Sequence, residues 1–302
     1  MNENQQQVSL AKYDYEHIII SVANPDNAKQ LVKLTKLITT PRATFHIMNV
    51  TRESSFPERE RSWRQGAELV MDTTHYAQRL GRAAEPFAAT SSSIPGAIVD
   101  AAEDMEAGLI VMGWFGSITP VAVRRSSVVN EVLKNAPCDV GVFKARETLK
   151  EVNKVVMPVG PSRPRPKRLA IVDRLLKQTG AECNLIHVVT PESDEDVNEE
   201  AKELLDEVKD LLTAENVESR VIHATSILQG LLTGSQASDL VVIGPGREWV
   251  FNRFLFGRTA DNLTNRVDTS VLMFKGSEHK LVAWPRGLLK ALTNLPKRSS
   301  DR

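Results

Sequence analysis

The sequence predicts an α/β protein made of two tandem five-stranded parallel-sheet domains. A buried-strand pattern, Leu109-Ile-Val-Met112 followed by Gly113, returns as Leu240-Val-Val-Ile243 followed by Gly244. A second pattern, Val140-Gly-Val-Phe-Lys144, returns as Val271-Leu-Met-Phe-Lys275, and both matches keep one offset of 131 residues. Strand, loop, helix and strand held in register over that length mark an internal duplication. The chain has 302 residues, which suits about two domains.

Each half is read in order as alternating strands and helices. Residues 1–16 are a polar leader or linker, and residues 17–146 form the first domain. His17-Ile-Ile-Ile-Ser-Val-Ala23 is its first strand, and Asn24-Pro25-Asp26 is a turn able to cap the next helix. That helix has Leu31, Leu34, Leu37 and Ile38 on one side. Residues 43–50 are the second strand. A long helix with Trp63, Leu69, Val70 and Leu80 ends near Gly81. Residues 85–90 make a third strand and residues 94–105 a third helix. After Gly113 come a loop with Gly116, a helix over about 126–135, and a last strand, Val140 to Phe143.

A short charged link, residues 146–154, joins the copies, and the second domain occupies residues 152–276. Its strands are read at 155–159, 185–189, 217–224, 240–243 and 271–274. Its helices carry Leu169, Val172, Leu175 and Leu176, then Leu204, Leu205, Val208, Leu211 and Leu212, then residues 227–236. Strands that are apolar on both faces and alternate with helices imply a parallel sheet covered on each side.

Composition narrows the function. Lys plus Arg and Asp plus Glu are both 38, giving zero formal charge, so generic nucleic-acid binding is not expected. Cys138 and Cys183 sit near strand starts without metal or disulfide spacing, and read as reduced thiols in a cytosolic setting. No run approaches the ~20 apolar residues of a membrane span, and the polar N-terminus lacks a signal-peptide core. His46, His75 and His223 show no ligand spacing. His187, whose counterpart in the first half is about Asn49, reads as a strand-end side chain. No nucleophile has an assignable base, and no metal or phosphate motif of a known catalytic kind occurs. We expect no enzyme, no metal and no cofactor.

These residues resemble the universal stress protein family, present twice. The resemblance implies five parallel strands per domain and, in nucleotide-binding members, an Asp ending strand one and G-x2-G-x9-G-[ST] after strand four. The Asp position falls on Ala23 and on Gly160. The first copy keeps Gly113 and Gly116, but Ser126-Ser127 stand where G-[ST] belongs. The second keeps Gly244, has Arg247 at the second glycine, and then Gly257-Arg258. Glycines there let backbone N–H groups reach phosphates. Gly113, Gly116, Ser126, Ser127, Gly244 and Gly257 are therefore remnants of a phosphate loop, and the reading favours turn geometry and a helix N-cap over a working site.

Tandem, eroded domains of this kind form the C-terminal cytosolic part of prokaryotic cation-chloride cotransporters and related amino-acid/polyamine/cation transporters. The resemblance implies a regulatory, non-catalytic, homodimeric domain at the cytoplasmic face of the membrane, tethered to a transport domain of the same polypeptide. The alternative is a free-standing tandem stress protein that binds ATP or AMP weakly. The run Arg163, Arg165, Lys167, Arg168 reads as a solvated loop, with an acidic partner or lipid as the other reading. The tail, residues 277–302, holds Trp284, Leu288, Leu289 and Leu292 among Arg286, Lys290, Lys297 and Arg298. It suits docking on the protein or contact with a membrane surface. Interface candidates are Val140 and Phe143, Val271 and Phe274, and Trp284. The two last strands are apolar and need cover, so the halves are expected to meet across them.

Overall fold

The computed structural model describes residues 10–114, 120–146, 149, 151–191, 197–245 and 258–277. The first half runs β1 (His17–Ser21), α1 (Pro25–Ile38), β2 (Thr44–Arg52), α2 (Glu58–Arg79), β3 (Ala83–Ser91), α3 (Ile94–Asp104), β4 (Leu109–Gly113), α4 (Pro120–Asn135) and β5 (Asp139–Lys144). The second runs β6 (Lys154–Pro158), α5 (Pro166–Thr179), β7 (Glu182–Val189), α6 (Val197–Leu211), β8 (Val217–His223), α7 (Ile227–Gly234), β9 (Leu240–Ile243), α8 (Arg258–Arg266) and β10 (Ser270–Lys275).

Local chemistry sets the helix ends. The Asn24 side chain accepts a hydrogen bond from the Asp26 N–H, with Pro25 in the first turn of α1. Ser93 and Ser226 cap α3 and α7 in the same manner. Gly180 ends α5 with φ of 71°, a left-handed conformation that costs glycine little.

The strands form one ten-stranded sheet in the order β3-β2-β1-β4-β5-β10-β9-β6-β7-β8. Pairing is parallel within each half. At the centre β5 and β10 pair antiparallel, with Phe143 opposite Leu272 and Val142 opposite Met273. The second half is thus the first turned about a pseudo-twofold axis. One core lies under α1, α2, α5 and α6 and the other under α3, α4, α7 and α8. Ile18, Ile19 and Ile20 are all fully buried, because β1 has helices on both faces.

The seam has matching ties at equivalent positions. Lys144 Nζ donates to the Thr264 carbonyl near the end of α8, and Lys275 Nζ donates to the Leu133 carbonyl near the end of α4. Both pairs are related by the same 131-residue offset. Likewise the Ser277 N–H donates to Asp139 Oδ1 at 2.6 Å, and the Arg146 N–H to Ser270 Oγ at 3.4 Å. Across the helical layer, Arg174 of α5 donates to the Ile38 carbonyl at 3.1 Å, and Gln178 to the Thr39 carbonyl at 2.9 Å. These side chains satisfy carbonyls at the end of α1 that have no partner within the helix.

Two segments expected to be plain connectors are packed. Leu10 and Tyr15, in the stretch read as a leader, are buried in the core. In the link, Leu149 and Val152 are buried, and the Leu149 N–H donates to Gln30 Oε1 at 2.7 Å. The helix expected near residues 126–135 begins earlier, at Pro120. Proline fits a first helical turn because its missing N–H has no partner there in any case.

Candidate functional site

The natural ligand position in each half is the crevice at the C-terminal ends of the strands where strand order reverses. That is the gap between β1 and β4 in the first half, and between β6 and β9 in the second.

In the first crevice Ala23 is exposed and offers no side-chain acceptor. The carbonyl of Val22 is taken by Asn49 Nδ2 at 2.7 Å. Asn49 is held in turn by close contact with α2, where a Cβ added at Gly66 would lie 2.3 Å from Asn49 Oδ1. Gly113 ends β4 as read, and the following residue, Trp114, is buried, its N–H donating to the Phe143 carbonyl at 2.8 Å. Ser126 and Ser127 lie inside α4, not at its N-cap. The N-cap reading is corrected accordingly: the helix starts upstream of both serines. Gly116 lies outside the described residues, as do Gly257 and Trp284.

In the second crevice the space at Gly160 is open, with no atom within 4 Å of an added Cβ. His187 stands at the counterpart of Asn49, beside the Val159 backbone, and its Nδ1 is enclosed without a hydrogen-bond partner. Burial outweighs the influence of that backbone and holds the imidazole pKa below its ordinary value. At Gly244 the crevice is filled from within. An added Cβ would meet Arg168 Nη1 at 2.0 Å, so the guanidinium lies directly on the glycine backbone. The Nε of Arg168 is enclosed without a hydrogen-bond partner. Burial, with Arg165 nearby, lowers its pKa to about 10. Arg247, which stands at the second glycine position, lies outside the described residues; it is Arg168 of α5 that reaches Gly244.

The run Arg163 to Arg168 divides: Arg163 and Arg165 are exposed ahead of the helix, as a solvated loop would be, while Pro166 starts α5 and leaves Lys167 and Arg168 half-buried in its first turn. Arg163 pairs with Glu207 at 2.5 Å on the surface. Lys167 Nζ reaches Asp139 Oδ1 at 2.8 Å, across the seam. Asp139 is fully buried and is the most heavily bonded carboxylate of the seam. It also accepts from Tyr15 Oη at 2.9 Å and from Ser277 N–H and Oγ at 2.6 and 2.8 Å. Burial foremost, then the neighbouring Asp139 charge, raises the Tyr15 phenol well above its ordinary pKa. The one sequence signal for this cluster was a charged residue opening an otherwise apolar strand, where the other half has Ser270.

The remaining candidates fall in the seam. Val140 and Phe143 are buried in β5, and Val271 and Phe274 in β10. Among the described residues no three His, Cys, Asp or Glu side chains converge as a metal site. Nor is any described helix long and apolar enough to cross a membrane.

Comparison with known proteins places this geometry. Residues 14–144 match the universal stress protein family. A universal stress protein from Archaeoglobus fulgidus has the same fold over 88% of this chain and 98% of its own, with a TM-score of 0.65 and 18% identity. The cytoplasmic domain of a prokaryotic cation chloride cotransporter aligns over 86% of this chain and 95% of its own, with a TM-score of 0.61 and 11% identity. In sequence, the Na(+)/H(+) antiporter NhaS5 of Synechocystis is 22% identical over 212 residues, which cover 68% of this chain. The match spans only 30% of the antiporter's length. The match to the universal stress protein family thus covers residues 14–144, and the second half repeats the strand order of the first.

Proposed function

We propose that this chain is a non-catalytic, homodimeric regulatory domain, attached on the cytoplasmic side to a secondary cation transporter of the cation-chloride cotransporter type. The observation that carries the reading is the state of the two crevices. Strand one ends without a carboxylate, at Ala23 and Gly160, and the Arg168 guanidinium rests where the backbone of Gly244 would otherwise meet a phosphate. A fold that keeps its frame but loses its ligand contacts is suited to assembly and signalling. Two likenesses support the transporter context: one to a cotransporter's cytoplasmic domain, and one to part of an antiporter.

The competing reading, a free-standing nucleotide-binding protein, makes an opposite prediction. Titration with MgATP in a calorimeter gives no saturable heat up to about 1 mM ligand. Stoichiometric binding at micromolar ATP overturns the reading. For the transporter itself, removing both copies from the full polypeptide changes the rate or activation of transport in vesicles. Ion selectivity, set in the membrane part, stays the same.

A further inference from the structure

Among the described residues, the second crevice holds a cation without a counter-ion. Arg168 lies in the first turn of α5, with Nη1 against the Gly244 backbone and Nε enclosed without a hydrogen-bond partner. The charges around it do not neutralise it. Glu207 is taken by Arg163 and Asp139 by Lys167, and the charge that acts on Arg168, Arg165, is itself a cation. With a pKa lowered only to about 10, the guanidinium stays charged at neutral pH. A cation drawn partly out of water is unfavourable until an anion meets it. The start of α5 adds to the positive field, since its first turn has no capping side chain and no acidic residue.

A second observation lies across β6, which has β9 on one side and β7 on the other. His187 of β7 is 8% exposed, and its Nδ1 is also enclosed without a partner, beside the Val159 backbone. Five enclosed side-chain polar atoms lack a partner among the described residues, and two of them, on Arg168 and His187, flank the end of β6. Such orphans are rare, and two at one crevice point to an absent ligand. The space at Gly160, just past β6, is open. A guanidinium fork matches two oxygens of one phosphate-like group. A nucleotide fits poorly, because no carboxylate stands at Gly160 and Arg168 covers the Gly244 backbone.

We propose that the second crevice binds a small oxyanion of the inorganic phosphate class through the Arg168 side chain, with His187 beside it. The inference rests on the reading of the crevices given above, and supplies the regulatory domain with a ligand. Arginine Nε–H signals in proton–nitrogen correlation spectra of the full chain test it. Inorganic phosphate is titrated against sodium chloride of equal ionic strength, with MgATP as a third arm. One signal, missing in Arg168→Met, shifts saturably with phosphate at a Kd of about 1 mM or below. About 20 mM phosphate also raises the melting temperature about 3 °C above the chloride control. Arg168→Met loses that rise, and Arg168→Lys, which keeps the charge without the fork, binds phosphate about 10-fold more weakly. No shift with phosphate, or an equal shift with chloride, overturns the proposal and leaves the nucleotide-free reading standing. Saturation by micromolar MgATP overturns both.

Discussion

Asp139→Ala tests the seam where its chemistry is most concentrated. The carboxylate is 0% exposed and accepts four hydrogen bonds, from Tyr15, Lys167 and twice from Ser277. Breaking a buried ion pair by removing one member costs about 3–5 kcal/mol. The Lys167 side chain is 31% exposed, so its ammonium can turn to water and recover part of that cost. Tyr15 Oη cannot, and a buried donor left without a partner costs about 1–3 kcal/mol. The expected loss is about 3 kcal/mol, or a fall of about 6 °C in melting temperature for a chain of this size. Asp139→Asn keeps the shape and one acceptor, and loses about half as much. The assay is a reversible thermal melt with urea titration alongside. A change below about 1 °C for Asp139→Ala would refute the reasoning.

Three further outcomes follow from the same structure. The raised Tyr15 pKa means that folding favours the protonated phenol; its contribution is complete below about pH 10 and is lost as pH rises towards the folded value. Urea midpoints should therefore fall above about pH 10, and Tyr15→Phe should flatten that fall while costing about 1.5–3 kcal/mol at neutral pH for the lost bond to a charged group. His46 and His187 have pKa values lowered chiefly by burial, so their contribution is present above about pH 6.5 and is lost on acidification. His187→Asn, which copies the Asn49 arrangement of the first half, should reduce the loss of stability between about pH 7 and pH 5. Lys144→Met and Lys275→Met each remove one cross-seam bond to a helix-end carbonyl. Each should cost about 1 kcal/mol, and the double variant should show the sum in urea unfolding, because the two share no partner.

The parts of this architecture that were readable in the sequence are those set by local pattern. The fixed offset between Leu109-Ile-Val-Met112 and Leu240-Val-Val-Ile243 exposed the duplication because strand, helix and strand keep one length in both halves. Val140–Phe143 of β5 and Val271–Phe274 of β10 were legible as apolar stretches in need of cover, and in the fold each strand is covered by the other. The Asp139 cluster was not legible, because its partners come from residues 15, 167 and 277, scattered over most of the chain. Lys167 and Arg168 looked like surface charge, since a basic run between prolines says nothing about which way the first turn of a helix faces. Ser126 and Ser127 were misplaced for a simpler reason. Serine resembles a cap in sequence, while α4 starts upstream at Pro120, where Thr119-Pro120 is itself a cap-and-first-turn pattern that the apolar periodicity of residues 128–133 overshadowed. Trp63 shows the converse: its helical spacing is that of a core residue, but the underlying strands stop short of it.

These features describe a ligand-binding fold, duplicated and closed upon itself, in which the seam makes two copies one body. Native-state hydrogen exchange tests that claim most directly. If the halves are one body, the amides of Val140–Phe143 and Val271–Phe274 exchange slowest and at a common rate, with the free energy of global unfolding. If instead the seam amides open well below the global free energy, or each half exchanges with its own, the halves are two separate domains in contact and the account fails.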